Sequence, residues 1–347
     1  MKRATLALTI ISVLFGAVLV GCSESVGSLD PDTNDQEGLV PPAGFPSMFF
    51  PSDNPYTKAK AELGRYLFYD TRFSRDFSTS CASCHLQEHA FSDPNRVSIG
   101  VEGRTGVRNA PSLTNVGYNI ALLWEGGVRT LERQAIVPII HPDEMDMHTD
   151  TLVGRLQQDV LYQELFRNAW GDDSITIERV VKSVSSFERS LVSGNSPFDA
   201  YREGDESALS SSAQRGMNLF FGETADCFHC HGGYNFTDNG FHNNGLSETE
   251  DLGRFEITQS ELDRGKFKTP TLRNIEVTAP YMHDGRYTSL EEVVAHYNRG
   301  GDGHPNSGSL VRPLGLSEQD VQDLIAFMRS LTDEHFLSDT SLSNPWK

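Results

Sequence analysis

The sequence lacks any cluster of Lys and Arg: 29 such residues are spread along the chain against 48 Asp and Glu, a formal net charge of −19. Phosphate contacts need clustered cations, so nucleic acid is excluded as a partner. After the first 21 residues no apolar run is long enough to span a bilayer. A glycine-rich phosphate loop, a GxSxG elbow and an HExxH motif are also missing, which argues against nucleotide enzymes and the common hydrolases. Cysteine is scarce, with five in 347 residues.

Four of the five fall into two Cys-x-x-Cys-His pentads, Cys81-Ala-Ser-Cys84-His85 and Cys227-Phe-His-Cys230-His231. Chance supplies on the order of 10⁻³ such pentads at this composition. A zinc site would want two pairs sharing one ion, and a redox dithiol normally lacks the adjoining histidine. The spacing therefore reads as two covalently attached c-type haems, with His85 and His231 as proximal iron ligands. The fifth, Cys22, closes a charged, apolar and small-residue start (Lys2-Arg3, then Ala4 to Val20, then Gly21) with the plan of a secretory signal. This ending resembles a bacterial lipobox. Residues 1–21 are thus expected to be a lipoprotein signal peptide, with lipidated Cys22 anchoring the chain on the periplasmic side of a bacterial membrane. An uncleaved membrane anchor is the alternative, although the run is short for one.

Residues 22–44 are rich in Ser, Asp, Glu, Gly and Pro and read as a flexible tether. Compact sequence begins at Phe45. Apolar periodicity predicts helices over 57–69, 151–170, 175–192, 211–221 and 316–331, the last with Ser317 and Asp320 close to a capping box. A helix starting at Leu131 is expected to be disturbed by Pro138. Gly64-Arg-Tyr-Leu67-Phe68 precedes the first pentad, and Gly216-Met-Asn-Leu219-Phe220 precedes the second. The expected fold is mainly α, with two cytochrome c-like haem domains over 45–200 and 201–347 and long ordered loops.

An electron-transfer haem has both axial positions filled, whereas a peroxide-activating haem keeps one open. What faces His85 therefore decides the chemistry. A carboxylate can move a proton between the two peroxide oxygens, and Gln134 and Glu144 fall in one segment, Leu131 to Met145. On residues alone Glu144 reads first as a solvated surface charge, Trp124 as a core indole and Tyr297 as a helix-packing side chain. His141 and His89 are ambiguous in the same way.

A set of ordered motifs adds to this. Phe91-Ser-Asp, Arg108-Asn109-Ala-Pro111, Trp124-Glu-Gly-Gly, Gln134…Pro138…Glu144-Met145 and Phe187-Glu-Arg-Ser-Leu191 are followed by Asn195-Ser-Pro-Phe-Asp199, Thr269-Pro-Thr-Leu-Arg-Asn274 and Ala279-Pro-Tyr-Met-His-Asp-Gly285. Together they resemble the bacterial dihaem cytochrome c peroxidases and their relative MauG, from about Leu63 to Leu331. The resemblance implies a peroxidatic first domain, with Gln134 and Glu144 on the distal side of the His85 haem and Pro138 shaping that pocket. It implies an electron-transfer second domain, with Trp124 as the bridge between haems. Asn109, through its side chain, and Thr278 and Pro280, through their carbonyls, correspond to a Ca²⁺ site, and such hard oxygen donors suit Ca²⁺.

Two departures from the family pattern are expected to matter. Many members carry a histidine in the loop after Phe-Ser-Asp that caps the peroxidatic haem until the other haem is reduced. Here that stretch, Ser98-Ile-Gly-Val-Glu-Gly103, has none, so the first haem is expected to be open without reductive priming. Opposite His231, where many members place a methionine, Leu290-Glu-Glu-Val-Val-Ala-His296-Tyr297 presents Tyr297, as in MauG. A tyrosinate lowers the reduction potential that a thioether raises. His296 and Met282 are rival ligands.

The leading expectation is a peroxidase that reduces H₂O₂ with electrons from a small cytochrome c or cupredoxin. MauG-like oxidation of a protein substrate is the alternative within the family, and a dihaem electron carrier without peroxide chemistry is the alternative outside it. A second copy of the chain is carried as a further candidate partner.

Overall fold

The computed structural model describes residues 38–247 and 250–347; the signal peptide and most of the tether, residues 1–37, lie outside the described residues. Helices α1 (Lys58–Phe68), α2 (Leu131–Ile140), α3 (Thr149–Gln157), α4 (Val160–Trp170) and α5 (Ile177–Ser190) build a first lobe. Helices α6 (Pro197–Arg202), α7 (Ser211–Phe220), α8 (Phe255–Thr258), α9 (Leu290–Asn298) and α10 (Glu318–Arg329) build a second, and α11 (Glu334–Ser338) follows. A short antiparallel ribbon pairs β1 (Phe241–His242) with β2 (Phe267–Lys268), Phe241 standing opposite Lys268. The fold is mainly α, as two cytochrome c-like domains require, and long loops carry both pentads.

Each lobe has its own apolar core. Phe68, Phe91 and Phe187 pack their rings at steep angles in the first, and Phe220, Phe236 and Phe327 do so in the second. In both, the helix that leads to the pentad crosses a later helix at a glycine. A Cβ on Gly64 would land on the carbonyl oxygen of Ser183 in α5, and one on Gly216 would land on that of Asp323 in α10. The glycines of the sequence echo are thus the points where two backbones touch.

The duplication extends further than that echo. At a constant offset of 159, Pro111, Leu113 and Asn115 recur as Pro270, Leu272 and Asn274. Asn115 and Asn274 are both left-handed, with φ of 57° and 61°. The bridge Leu122–Val128 recurs as Tyr281–Tyr287. Thr130 caps α2 by accepting from Arg133 N, and Ser289 caps α9 by accepting from Glu292 N.

A buried polar seam joins the lobes. Asn115 Nδ2 donates to the Ser193 carbonyl and Asn274 Nδ2 to Ser193 Oγ, while Asp333 N donates to Asn274 Oδ1. Asp333 Oδ2 accepts from Ser193 Oγ, Gly194 N and Asn195 N at 3.0–3.1 Å.

Several expectations need correction. The helix expected over 151–170 is two, α3 and α4, because the Asp159 carboxylate accepts from Leu161 N and starts a new helix. α2 runs through Pro138 rather than failing there. The proline sits in its last turn, where the only intrahelical bond it forfeits is its own, and Met145 N and Met147 N satisfy the Pro138 and Ile139 carbonyls. Packing starts ahead of Phe45, since Pro42 already lies against Gly194. At the other end, Phe336 and Leu342 belong to the first core although they follow the second lobe in sequence.

Because both crossings admit no side chain, Gly64→Ala and Gly216→Ala should each lower stability by about 1–3 kcal/mol. Thermal unfolding of the haem-loaded protein measures this, and an unchanged midpoint would contradict the crossing geometry.

Candidate active site

Each pentad closes as a single 3-10 turn, Cys81–Ser83 or Cys227–His229, followed by its histidine. His85 Nδ1 lies 2.8 Å from the Phe91 carbonyl and His231 Nδ1 lies 3.1 Å from that of Phe236. A carbonyl can only accept, so in each ring Nδ1 carries the proton and Nε2 keeps its lone pair for a metal. Burial pushes both imidazoles down from their ordinary pKa, which keeps them neutral. All four pentad cysteines are free of disulfides and available for thioether bonds. This donor set fits a covalently held haem at each pentad.

Two cavities meet at His85. The first is lined by Cys81, Cys84, His85, Gln134, Pro138 and Glu144. Helix α2 places Gln134 and Pro138 one turn apart on the same face, and the turn after α2 brings in Glu144. Burial raises the Glu144 carboxyl above its usual pKa, and His141, 3.8 Å away, opposes that only in part. Among the described residues, His85 is the one histidine that lines either cavity. Of the loop expected to hold a capping residue, Ser98 and Gly100 reach the cavity. Glu102 does not: it is exposed and paired with Arg75 and Arg104, both at 2.5 Å.

Pro138 and Tyr297 occupy the same place in the two copies, the eighth residue of α2 and of α9. Tyr297 lies near Cys227 and Cys230; burial pushes its phenol up to about 12, and the Asn244 side chain pulls the other way. Its rivals are engaged elsewhere. His296 is fully buried, with Nε2 2.9 Å from the Asn244 carbonyl and Nδ1 beside Tyr287 Oη and Arg299. Met282 Sδ lies 3.2 Å from Asn244 Nδ2.

The second cavity gathers His85, Asn109, Trp124, Thr278, Pro280 and Met282 from both lobes. Trp124 Nε1 donates to the Asn109 carbonyl at 2.8 Å, which fixes the indole. Asn109 Nδ2 donates to the Asp93 and Asn95 carbonyls, leaving Oδ1 without a hydrogen bond among the described residues. A side-chain oxygen with no donor, sharing a cavity with Thr278 and Pro280, fits a hard cation. His89 is remote from this role, with Nδ1 3.1 Å from the Val277 carbonyl.

A family model described as di-haem cytochrome c peroxidase matches residues 58–207, and one described as cytochrome c matches residues 213–332. Methylamine utilization protein MauG of Methylorubrum extorquens is 39% identical over 325 residues, covering 92% of each chain. The chain belongs to the dihaem cytochrome c peroxidase and MauG family. The cytochrome c551 peroxidase of Nitrosomonas europaea is 32% identical over 342 residues, covering 96% of this chain and 93% of its own. The crystal structure of a MauG-like protein associated with microbial copper homeostasis superposes with a TM-score of 0.85 at 37% identity, covering 88% of this chain and 98% of that one. Membership makes this protein a haem oxidoreductase with two c-type haems, one per lobe. Among the described residues Cys230, Asp238 and His242 also bring their ligand atoms within 4.8 Å of one another, and this cluster shares Cys230 with the second pentad.

Two residues that sequence reasoning left without a role emerge from the packing. His283 is the copy of Trp124; it is buried, stacked on Phe267 at 3.6 Å, and its Nε2 has no hydrogen-bond partner among the described residues. Burial lowers its pKa to about 4, so it is neutral. Glu188 lines the first cavity from α5 with a buried, unpartnered Oε2, and burial raises its pKa to about 8 despite Arg189 beside it. The motif Phe187-Glu-Arg was visible in sequence, but only tertiary packing makes this carboxyl buried.

Between about pH 5 and 8 the folded chain therefore holds a proton on Glu188 that the unfolded chain has released, and stability falls as pH rises through that window. Glu188→Gln should flatten this slope and gain on the order of a few kcal/mol relative to the parent at pH 8 over pH 5. Denaturation midpoints of the haem-loaded pair at the two pH values measure it, and parallel curves would refute a protonated Glu188.

Proposed function

We propose that the protein is a peroxidase that reduces H₂O₂ to two water molecules with two electrons and two protons, at an open position opposite His85. The observation that carries this reading is the cavity in which His85, Gln134, Pro138 and Glu144 meet with no second histidine among the described residues. The haem, when bound there, supplies the iron at which the O–O bond is cleaved and the oxidising equivalents are stored. Glu144 takes the proton from the near peroxide oxygen and delivers it to the far one, a task suited to a carboxyl whose pKa burial has raised. Gln134 orients the peroxide by hydrogen bonding. Pro138, at the place where the other lobe has Tyr297, offers no atom that could close the position.

Trp124 is the aromatic path by which electrons cross between lobes, and its hydrogen bond to Asn109 holds the ring in the shared cavity. Asn109 Oδ1 and the Thr278 and Pro280 carbonyls hold Ca²⁺ there. Tyr297 would be the residue that gives the second lobe's haem its second ligand, a reading supported by the engagement of His296 with the Asn244 carbonyl. The electron donor is a small cytochrome c or cupredoxin, met on the periplasmic side of the membrane to which lipidated Cys22 ties the chain.

A second reading, peroxide-driven oxidation of a protein side chain, is favoured by Tyr297 and by the identity to MauG. Both readings use the same first cavity, and a ligand pattern alone does not name a substrate.

Glu144→Gln should slow peroxide-dependent donor oxidation by about 10²–10⁴-fold while haem content and absorbance stay unchanged. Stopped-flow kinetics with a reduced small cytochrome tests this. A variant that keeps the full rate would remove Glu144 from the mechanism and return the protein to the class of electron carriers.

A further inference from the structure

The constant offset of 159 that pairs Pro111 with Pro270 and Asn115 with Asn274 also pairs Asn109 with Lys268. Both line the cavity shared by the lobes. One copy thus presents a neutral amide to this space and the other an ammonium. β2 fixes the position of Lys268: its backbone pairs with Phe241, and its N–H donates to the Trp124 carbonyl at 2.7 Å. The ammonium is poorly served by protein. Its single hydrogen bond is a long one, 3.4 Å to the Thr269 carbonyl, and no carboxylate lies in ion-pair range among the described residues. Asp238 is the acidic group that acts on it from a distance, and Asp238 is already paired with His242 at 2.6 Å. Burial lowers the Lys268 pKa to about 8, the signature of a cation removed from water without a counter-ion.

A cation held this way is costly unless an anion completes the site. The second pentad is close by: the backbone of Pro270, two residues from Lys268, faces the His231 imidazole, and Asp238 N donates to the Cys230 carbonyl. The group that this pentad binds carries two propionate carboxylates.

We infer that Lys268 is the built-in counter-cation for the propionates of the second lobe's haem, in the place where the first lobe has the neutral Asn109. One lobe supplies its own positive charge and the other leaves an oxygen for a bound cation. Duplication followed by one substitution accounts for the difference. A fixed positive charge beside the second haem favours its reduced state, so Lys268 acts against the potential-lowering effect of Tyr297 and positions that haem electrostatically. This rests on haem binding at the second pentad and not on peroxide chemistry, so a protein inert to peroxide would leave the following test intact.

The experiment uses the haem-loaded, full-length protein and its Lys268→Met and Lys268→Arg variants, with the two haem potentials read separately by spectroelectrochemical titration. Lys268→Met should make the second haem at least tenfold harder to reduce, 59 mV for one electron, with the first haem nearly unmoved. Lys268→Arg should restore the parent value. An unchanged second-haem potential in Lys268→Met overturns the inference. A crystal structure of the haem-loaded parent tests the contact without any variant: Lys268 Nζ within about 4 Å of a propionate oxygen supports it, and an amine turned elsewhere overturns it even if Lys268→Met fails to load haem.

Discussion

Everything in this protein depends on two cavities being held at one distance, and the Asp333 carboxylate does much of that holding. One of its oxygens takes three donors from Ser193, Gly194 and Asn195, at the join between the lobes, and the other caps α11 through Phe336 N. Asn115 and Asn274 extend the same seam from the two copies of the repeat. Hydrogen bonds of this kind contribute only about 1–3 kcal/mol each when made to a charged group, but an unmade one costs as much in a buried place. A seam built from them has one satisfied arrangement. That arrangement places Trp124 of the first lobe against Pro280 and Met282 of the second in a single cavity.

On this frame the two lobes are one plan with a few exchanged side chains. Pro138 and Tyr297 share the eighth position of their helices, and on the proposed function that exchange would set whether the protein supplies a second iron ligand there. Trp124 and His283 share a turn, one donating to the Asn109 carbonyl and the other lying neutral on Phe267, its Nε2 without a hydrogen-bond partner among the described residues. Asn109 and Lys268 share a cavity wall. Each exchange changes electronic character while the glycine crossings at Gly64 and Gly216 keep the backbone the same. On the proposed function, a division of labour between the haems would follow from side chains, not from fold.

Much of this was legible in the residues. The pentads, the helix signals and the glycine echo are local, and local chemistry survives into the structure. The boundary at Asp159 was hidden because an amphipathic pattern on both sides reads as one helix, and only the carboxylate's hold on Leu161 N interrupts it. Pro138 does not end its helix, because the last-turn carbonyls are met by amides seven or eight residues downstream, Met145 and Met147, which the local sequence does not reveal. Glu188 lies on a helix buried almost all round, which its charged sequence does not suggest. The equivalence of Asn109 and Lys268 is masked by their unlike chemistry and shows only once the turns around them are aligned.

The central claim is that the iron held by His85 is open in the resting protein. It is tested by adding one equivalent of H₂O₂ to the fully ferric, haem-loaded protein with calcium present and no reductant, while following the high-spin ferric electron paramagnetic resonance signal and the Soret band. Loss of that signal within the mixing time, giving an oxidised state that lasts for seconds or longer, is the predicted result. A signal that persists until one haem is reduced would contradict it, and would mean that a residue outside the lining of this cavity caps the iron.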